Sequence, residues 1–230
     1  MKILVKFPCR ERPQKLISTL KGYINNSADP HNINYLITLD SDDSTMTSQV
    51  LKEIQSLSPN ITTIHGSSTD KIHAINRGME SYKEHWDIVV LASDDMICEF
   101  KGWDNVLRIE MQKYYPDTDG ALWFWDGDHA TKRGGLCTMN IMGKKYYDRF
   151  GYLYHPSYKS LWCDNEYTDV GLQLGKLKFF DLVLFRHIHF SNTPGLNPDR
   201  LMTHTQGFFM RDKENYYARK MNNFGIANNN

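Results

Sequence analysis

Several things are scarce in this 230-residue, 26.8 kDa chain, and each scarcity excludes something. There is no excess charge: Lys+Arg and Asp+Glu both count 27, and the pI is about 7.1. A nucleic-acid binder should carry a basic surplus, so no nucleic-acid partner is expected. There are only four cysteines, Cys9, Cys98, Cys137 and Cys163, with no C-x-x-C pair among them. That argues against a zinc ribbon, and four scattered thiols fit a reducing, cytoplasmic compartment. No apolar run approaches the length of a membrane span, so no transmembrane segment is expected. The N-terminal Met-Lys-Ile-Leu-Val-Lys-Phe-Pro-Cys has too short an apolar run for a signal peptide. No internal repeat occurs, and only Asn228-Asn229-Asn230 is low in complexity.

What is present is an ordinary globular composition, 40% hydrophobic, 13% aromatic and 23% charged. No linker divides the chain, so one domain is expected over 1–230: a first half to residue 100, a second to 190, and a loop and tail over 191–230. The first hundred residues alternate. Short apolar runs at 3–7, 35–39, 61–64 and 88–92 read as strands. Between them lie helical stripes: Leu16, Ile17, Leu20 and Ile24 behind Pro13; Met46, Val50, Ile54 and Leu57; Ile72, Ile75, Met79 and Tyr82. Such alternation predicts an α/β fold, a mostly parallel sheet flanked by helices. The second half is less regular. Trp103, Val106, Leu107 and Met111 predict a helix, 121–125 and 137–142 strands, 164–174 a helix stopped by Gly175, 179–185 a last strand, and 212–221 a further helix.

Polar clusters follow the strands, where ligands of open α/β sheets bind. Ser93-Asp94-Asp95 follows the most apolar strand, and carboxylates there can hold Mg²⁺ or Mn²⁺ beside substrate phosphates. His187 and His189 are two residues apart, so on a strand they share a face and can approach the same ion. Lys71 stands at a helix start, where amide groups favour anions, with Asn76 five residues on. Each feature also has a plain structural explanation: a turn, hydrogen-bonded histidines, a solvated helix face.

In order, these parts resemble the nucleotide-sugar-binding half of GT-A-type glycosyltransferases of the family 2 kind. The residues that carry the resemblance are the acidic cluster after the second strand, Lys71-Ile-His-Ala-Ile-Asn76-Arg-Gly78, and Asp87-Ile-Val-Val-Leu-Ala-Ser-Asp94-Asp95. The family's Asp-x-Asp place is taken by Ser93-Asp94-Asp95, so its first carboxylate is absent. The resemblance implies a single-domain GT-A-like fold and a sugar nucleotide, UDP- or another, as donor. It sets Asp95 and Asp94 at a divalent cation, Mn²⁺ or Mg²⁺, and the donor diphosphate, with His187 or His189 completing the metal site. It brings Asp40 or Asp42 near the base or ribose, and Pro8, Arg10 and Arg12 around the base. Arg10 can also meet a phosphate through charge-assisted bonds. Trp162-Cys163-Asp164-Asn165-Glu166 is similar to the segment that supplies the general base of inverting members, with Asp164 in that place and Glu166 the runner-up.

Such residues suit sugar transfer. A cation neutralises the leaving diphosphate, and a carboxylate takes the proton of a carbohydrate or other hydroxyl acceptor. A base on the face opposite the leaving group predicts inversion. Trp123 to Trp125, and Tyr152, Tyr154, Tyr158 and Trp162, offer rings for stacking against sugars or, equally, for the core. Two other readings stand beside this one. A sugar nucleotidyltransferase should show a Gly-rich basic N-terminal loop, and residues 8–13 have no glycine. A catalytically silent nucleotide- or carbohydrate-binding protein of the same fold would bind donor without slowly hydrolysing it.

Overall fold

The computed structural model describes residues 1–127, 133–189, 195 and 197–226. Its centre is a seven-stranded sheet made from β1 (Ile3–Cys9), β2 (Ile33–Asp40), β3 (Ile61–Gly66), β4 (Ile88–Leu91), β6 (Ala121–Phe124), β7 (Ile141–Gly143) and β8 (Leu177–Phe180). The spatial order is β3-β2-β1-β4-β7-β6-β8, and only β7 runs against its neighbours. This is the expected α/β, mostly parallel sheet. A separate two-stranded ribbon pairs β5 (Met96–Cys98) with β9 (Phe185–His187), antiparallel.

Side-chain alternation along β1 feeds two cores. Ile3, Val5 and Phe7 face Leu16, Ile17, Leu20 and Tyr23 of α1 (Pro13–Asn25), Ile54 of α2 (Ser48–Ser56) and Trp103, Leu107 and Met111 of α4 (Trp103–Tyr114). Leu4 on the other face joins Ile72 and Ile75 of α3 (Lys71–Asn76), Tyr146 of α5 (Lys144–Asp148), Tyr167 and Val170 of α6 (Cys163–Gln173) and Tyr216 of α8 (Phe209–Met221). β4 is buried on both faces, as a continuous apolar run should be. The strand order reverses between β1 and β4, and the carboxyl ends of such a pair are where ligands of open α/β sheets bind.

Four expectations are corrected. The stripe to Tyr82 breaks off: α3 ends at Asn76, because Gly78 takes a left-handed φ of 87°. The strand expected over 137–142 is confined to Ile141–Gly143, since the Cys137 amide turns away from the sheet to the Thr168 hydroxyl at 3.0 Å. The strand expected over 179–185 is two: β8 extends the large sheet and β9 turns away into the ribbon. Beyond 191, the loop expectation falls partly outside the described residues, and a further helix, α7 (Arg200–Gln206), is present, capped by Asp199.

The four cysteines are buried free thiols. Trp123 packs edge-on against Phe179 at 4.8 Å and Phe124 stacks on Phe180 at 4.7 Å, so these two rings serve the core. Tyr154 and Tyr158 are buried as well. No helix among the described residues is long and apolar enough to cross a membrane.

Candidate active site

The ribbon assembles the first part of the site. Met96 lies opposite His187 in the β5–β9 pair, and the Ile188 amide donates to the Asp95 carbonyl at 2.8 Å. His187 thereby reaches the acidic loop after β4: its Nε2 is 3.7 Å from Asp95 and its Nδ1 3.7 Å from Asp126. Thr138 donates to Asp126 at 2.6 Å, and Ser93 makes a short hydrogen bond to Asp95. Burial alone would raise the Asp95 carboxyl, but the His187 bond and charge, with Ser93 and Lys71, hold it well below the usual carboxylate range. Burial works against the His187 cation too, yet Asp126 and Asp95 raise it to about 9. The His189 ring lies 5.4 Å from that of His187.

Arg12 ties the loop after β1 to this place. It donates to Asp94 at 3.2 Å and to Asp199, the cap of α7, at 2.7 Å. Burial raises the Asp94 carboxyl, with Arg12 opposing and Asp95 adding to the rise. The hydroxyl of Thr19 on α1 donates to the Asp94 carbonyl at 3.0 Å and steadies the loop.

The second part lies at the ends of β1 and β2. Arg10 donates to Asp40 at 3.0 Å and bidentately to Asp42 at 2.7 and 2.9 Å. Arg77 meets the other Asp40 oxygen at 3.2 Å. Pro8 is paired in register with Thr38, two residues before Arg10 and Asp40 at their strands' ends. Arg10, Asp40 and Asp42 thus form one cluster. Asp43 sits beside it, accepting from the Glu11 amide at 2.8 Å.

The third part comes from α3 and α6. Lys71 is exposed at the first turn of α3, and its charge acts on Asp95 and on Asp164. Burial raises the Asp164 carboxyl, opposed by a hydrogen bond from the Asn165 amide at 3.0 Å and by the charges of Lys71 and His187. Asp164 therefore stands in the field of the same groups that surround Asp95.

Two expected residues are occupied otherwise. Both Glu166 oxygens accept from Arg219, at 2.6 and 2.8 Å, and one also from the Tyr158 hydroxyl at 2.7 Å. Asn76 spends its amide on the 153–154 backbone, donating to the Tyr154 carbonyl at 2.7 Å and accepting from the Leu153 amide at 2.9 Å. Sequence reasoning passed over Asp126, Arg77 and Asp199. Asp126 alone had a usable signal, a carboxylate just past a buried strand.

Among the described residues no group of three His, Cys, Asp or Glu side chains is arranged to hold a metal ion. Asp95 and His187 offer one carboxylate and one imidazole facing each other. That donor set suits a hard divalent cation whose other positions go to water and substrate phosphate.

No protein-family model matches the chain, and no curated protein matches its sequence. Solved structures do match its fold. One is the mannosyltransferase PcManGT from Pyrobaculum calidifontis in complex with GDP-Man and Mn²⁺: TM-score 0.63, 13% identity, 84% of this chain and 58% of that one. Another is S. aureus TarS 1-349 in complex with UDP-GlcNAc: TM-score 0.63, 12% identity, 88% of this chain and 61% of that one. TarS 1-349 in complex with UDP matches with TM-score 0.62 and 12% identity, over 81% of this chain and 60% of that one. The chain therefore spans about three-fifths of these structures, and over that span it has the GT-A-like fold that its sequence resemblance implies.

Proposed function

We propose that this chain is a metal-dependent, inverting glycosyltransferase that moves a sugar from a nucleotide-sugar donor to an acceptor hydroxyl. The observation that carries the reading is the pairing of Asp95 with His187, 3.7 Å apart, beyond the carboxyl end of β4. Donor and acceptor functions of such an enzyme need one carboxylate at the diphosphate and another at the hydroxyl, and Asp164, in the first turn of α6, is the candidate for the second. The solved structures of the same fold hold GDP-Man with Mn²⁺, UDP or UDP-GlcNAc, which supports a nucleotide sugar as donor.

In this reading Asp95 and His187 hold the cation, and His189 stands next to them. A bound divalent cation would neutralise the charge that develops on the leaving diphosphate. The Arg10–Asp40–Asp42 cluster and Pro8 take the nucleoside end. Arg12 and Lys71 face the phosphates as fixed positive charges, and Asp94 orients Arg12. Asp164 accepts the acceptor's proton; its raised affinity for protons brings it nearer the working pH than an ordinary Asp, which strengthens it as a base. Glu166 is the weaker candidate for that role because Arg219 already neutralises it. Asn76 acts on the nucleotide indirectly, by holding the 153–154 loop.

The test is binding and slow hydrolysis. UDP, GDP, UDP-GlcNAc and GDP-Man, each with and without Mn²⁺, should sort by thermal shift into one preferred base. The preferred sugar nucleotide should then be hydrolysed only with the cation. A protein that binds none of the four with Mn²⁺ is not such an enzyme, and one that binds without hydrolysing is a silent member of the fold.

A further inference from the structure

The carboxylate of Asp212, in the first turn of α8, is completely buried. It has no role in the proposed chemistry, yet it accepts three backbone hydrogen bonds: from the amides of Lys159 at 3.0 Å, Ser160 at 2.8 Å and Leu161 at 2.8 Å. Three successive amides cannot converge on one carboxylate unless the backbone over 159–161 is curled around it, so this charge dictates the shape of that segment.

The segment has two ends, and each leads to the site. Backward, the Lys159 carbonyl accepts from the Ile72 amide at 3.4 Å, and the Lys159 ammonium meets Asp70, the cap of α3, at 2.6 Å. This fixes the turn that carries Lys71. Forward, Trp162 takes a left-handed φ of 62° and α6 begins at Cys163, so Asp164 lies in its first turn. A bulky residue holds that backbone conformation only when its surroundings impose it. The surroundings are again α8: Trp162 packs on Phe209 at 5.6 Å and on Tyr216 at 5.3 Å.

We infer that Asp212 is a positioning residue for transfer: its buried carboxylate sets the 159–161 backbone and thereby the placement of both Lys71 and the base Asp164. The inference rests on the glycosyltransferase reading above and adds to it a residue outside the reacting groups. It makes α8 a part of the catalytic apparatus and not only a cover for the sheet.

The experiment compares Asp212→Ala, Asp212→Asn and Lys220→Met in the full chain with wild type. Lys220→Met is the control: it removes a bond from α8 to α6, the Lys220 ammonium to Asp169 at 2.7 Å, and leaves 159–161 alone. Two readouts are taken. One is amide hydrogen exchange over 159–164. The other is kcat for hydrolysis of the better of UDP-GlcNAc and GDP-Man with Mn²⁺, water standing in for the acceptor, alongside the Kd of the matching nucleoside diphosphate. Asp212→Ala should speed exchange over 159–161 and lower kcat by about 10²-fold, the usual cost of an ångström-scale misplacement, while the Kd rises by a smaller factor because Lys71 faces the phosphates. Asp212→Asn, which keeps one carbonyl acceptor and should fold where alanine does not, should fall between. Lys220→Met should keep its kcat.

Unchanged exchange in both Asp212 variants overturns the clamp. Faster exchange with unchanged kcat overturns the positioning role alone, and so does an equal kcat loss in Lys220→Met. A wild-type protein that hydrolyses neither sugar nucleotide overturns the parent reading and this inference together.

Discussion

His187 and Asp95 lie far apart in the chain, yet Nε2 of one is 3.7 Å from the carboxylate of the other. A ribbon of two three-residue strands brings them together, and Asp126 closes on the far side of the imidazole at 3.7 Å. Against the cost of burial, the two carboxylates favour the imidazolium form, raising the pKa of His187 to about 9. A bound cation would have to share or displace that charge.

The first prediction concerns Asp95. Asp95→Ala should remove the Mn²⁺-dependent part of nucleoside diphosphate binding, weakening it about tenfold or more, while the fold survives. Isothermal titration of UDP and GDP with and without Mn²⁺ measures this. Wild-type affinity in the variant would take the cation away from Asp95.

Asp164 should be visible in the pH profile. A base works only when deprotonated, and burial raises the carboxyl of Asp164, so kcat should climb with pH across its raised pKa and then level. Asp164→Asn keeps the shape but not the basicity. Its kcat should drop by about 10²–10⁴-fold with little change in donor affinity, and the ascending limb should vanish. A retained limb in Asp164→Asn would assign the base to another group.

Glu166→Gln should behave in the opposite way. Its carboxylate holds Arg219 bidentately, so the loss falls on stability, about 1–3 kcal/mol by urea denaturation, and not on turnover. A collapse of kcat in a folded Glu166→Gln protein would move the base two residues along α6.

Lys6 gives a prediction about the sheet. Its side chain is fully buried, and among the described residues its ammonium donates to the Thr38 hydroxyl at 2.5 Å and the Ala74 carbonyl at 3.3 Å. Burial, with the Arg77 charge behind it, pushes its pKa well below that of an exposed lysine. Between the lowered folded value and the unfolded value of about 10.5, the unfolded chain binds the extra proton, so stability should rise with pH through that window. Lys6→Met should flatten the rise and gain about 1–3 kcal/mol at neutral pH. Thr38 keeps its bond to the Ala74 carbonyl, at 2.9 Å. A loss of stability in Lys6→Met would show that the ammonium is a net anchor for α3.

The sequence by itself determined the first half of this protein. Buried parallel strands must be apolar on both faces, so the runs at β1, β2 and β4 were legible, and so were the carboxylates Asp40, Asp94 and Asp95 where the runs of β2 and β4 stop. The Arg10–Asp40–Asp42 cluster followed from two strand ends adjacent in a parallel sheet. Tertiary structure decided the rest, because it depends on pairings too short or too distant to leave a periodic trace. Three-residue strands such as Met96–Cys98 and Phe185–His187 show no alternation, so the contact of His187 with Asp95 and Asp126 was unreadable in its particulars. Gly78 could be seen, but not that its left-handed turn would end α3 and free Asn76 to hold the 153–154 loop. Glu166 and Asp212 differ least from exposed surface carboxylates in their local sequence. Burial beside Arg219 and beneath three backbone amides separates them from such groups, and both environments are assembled only when α8 packs against the segment over 158–166.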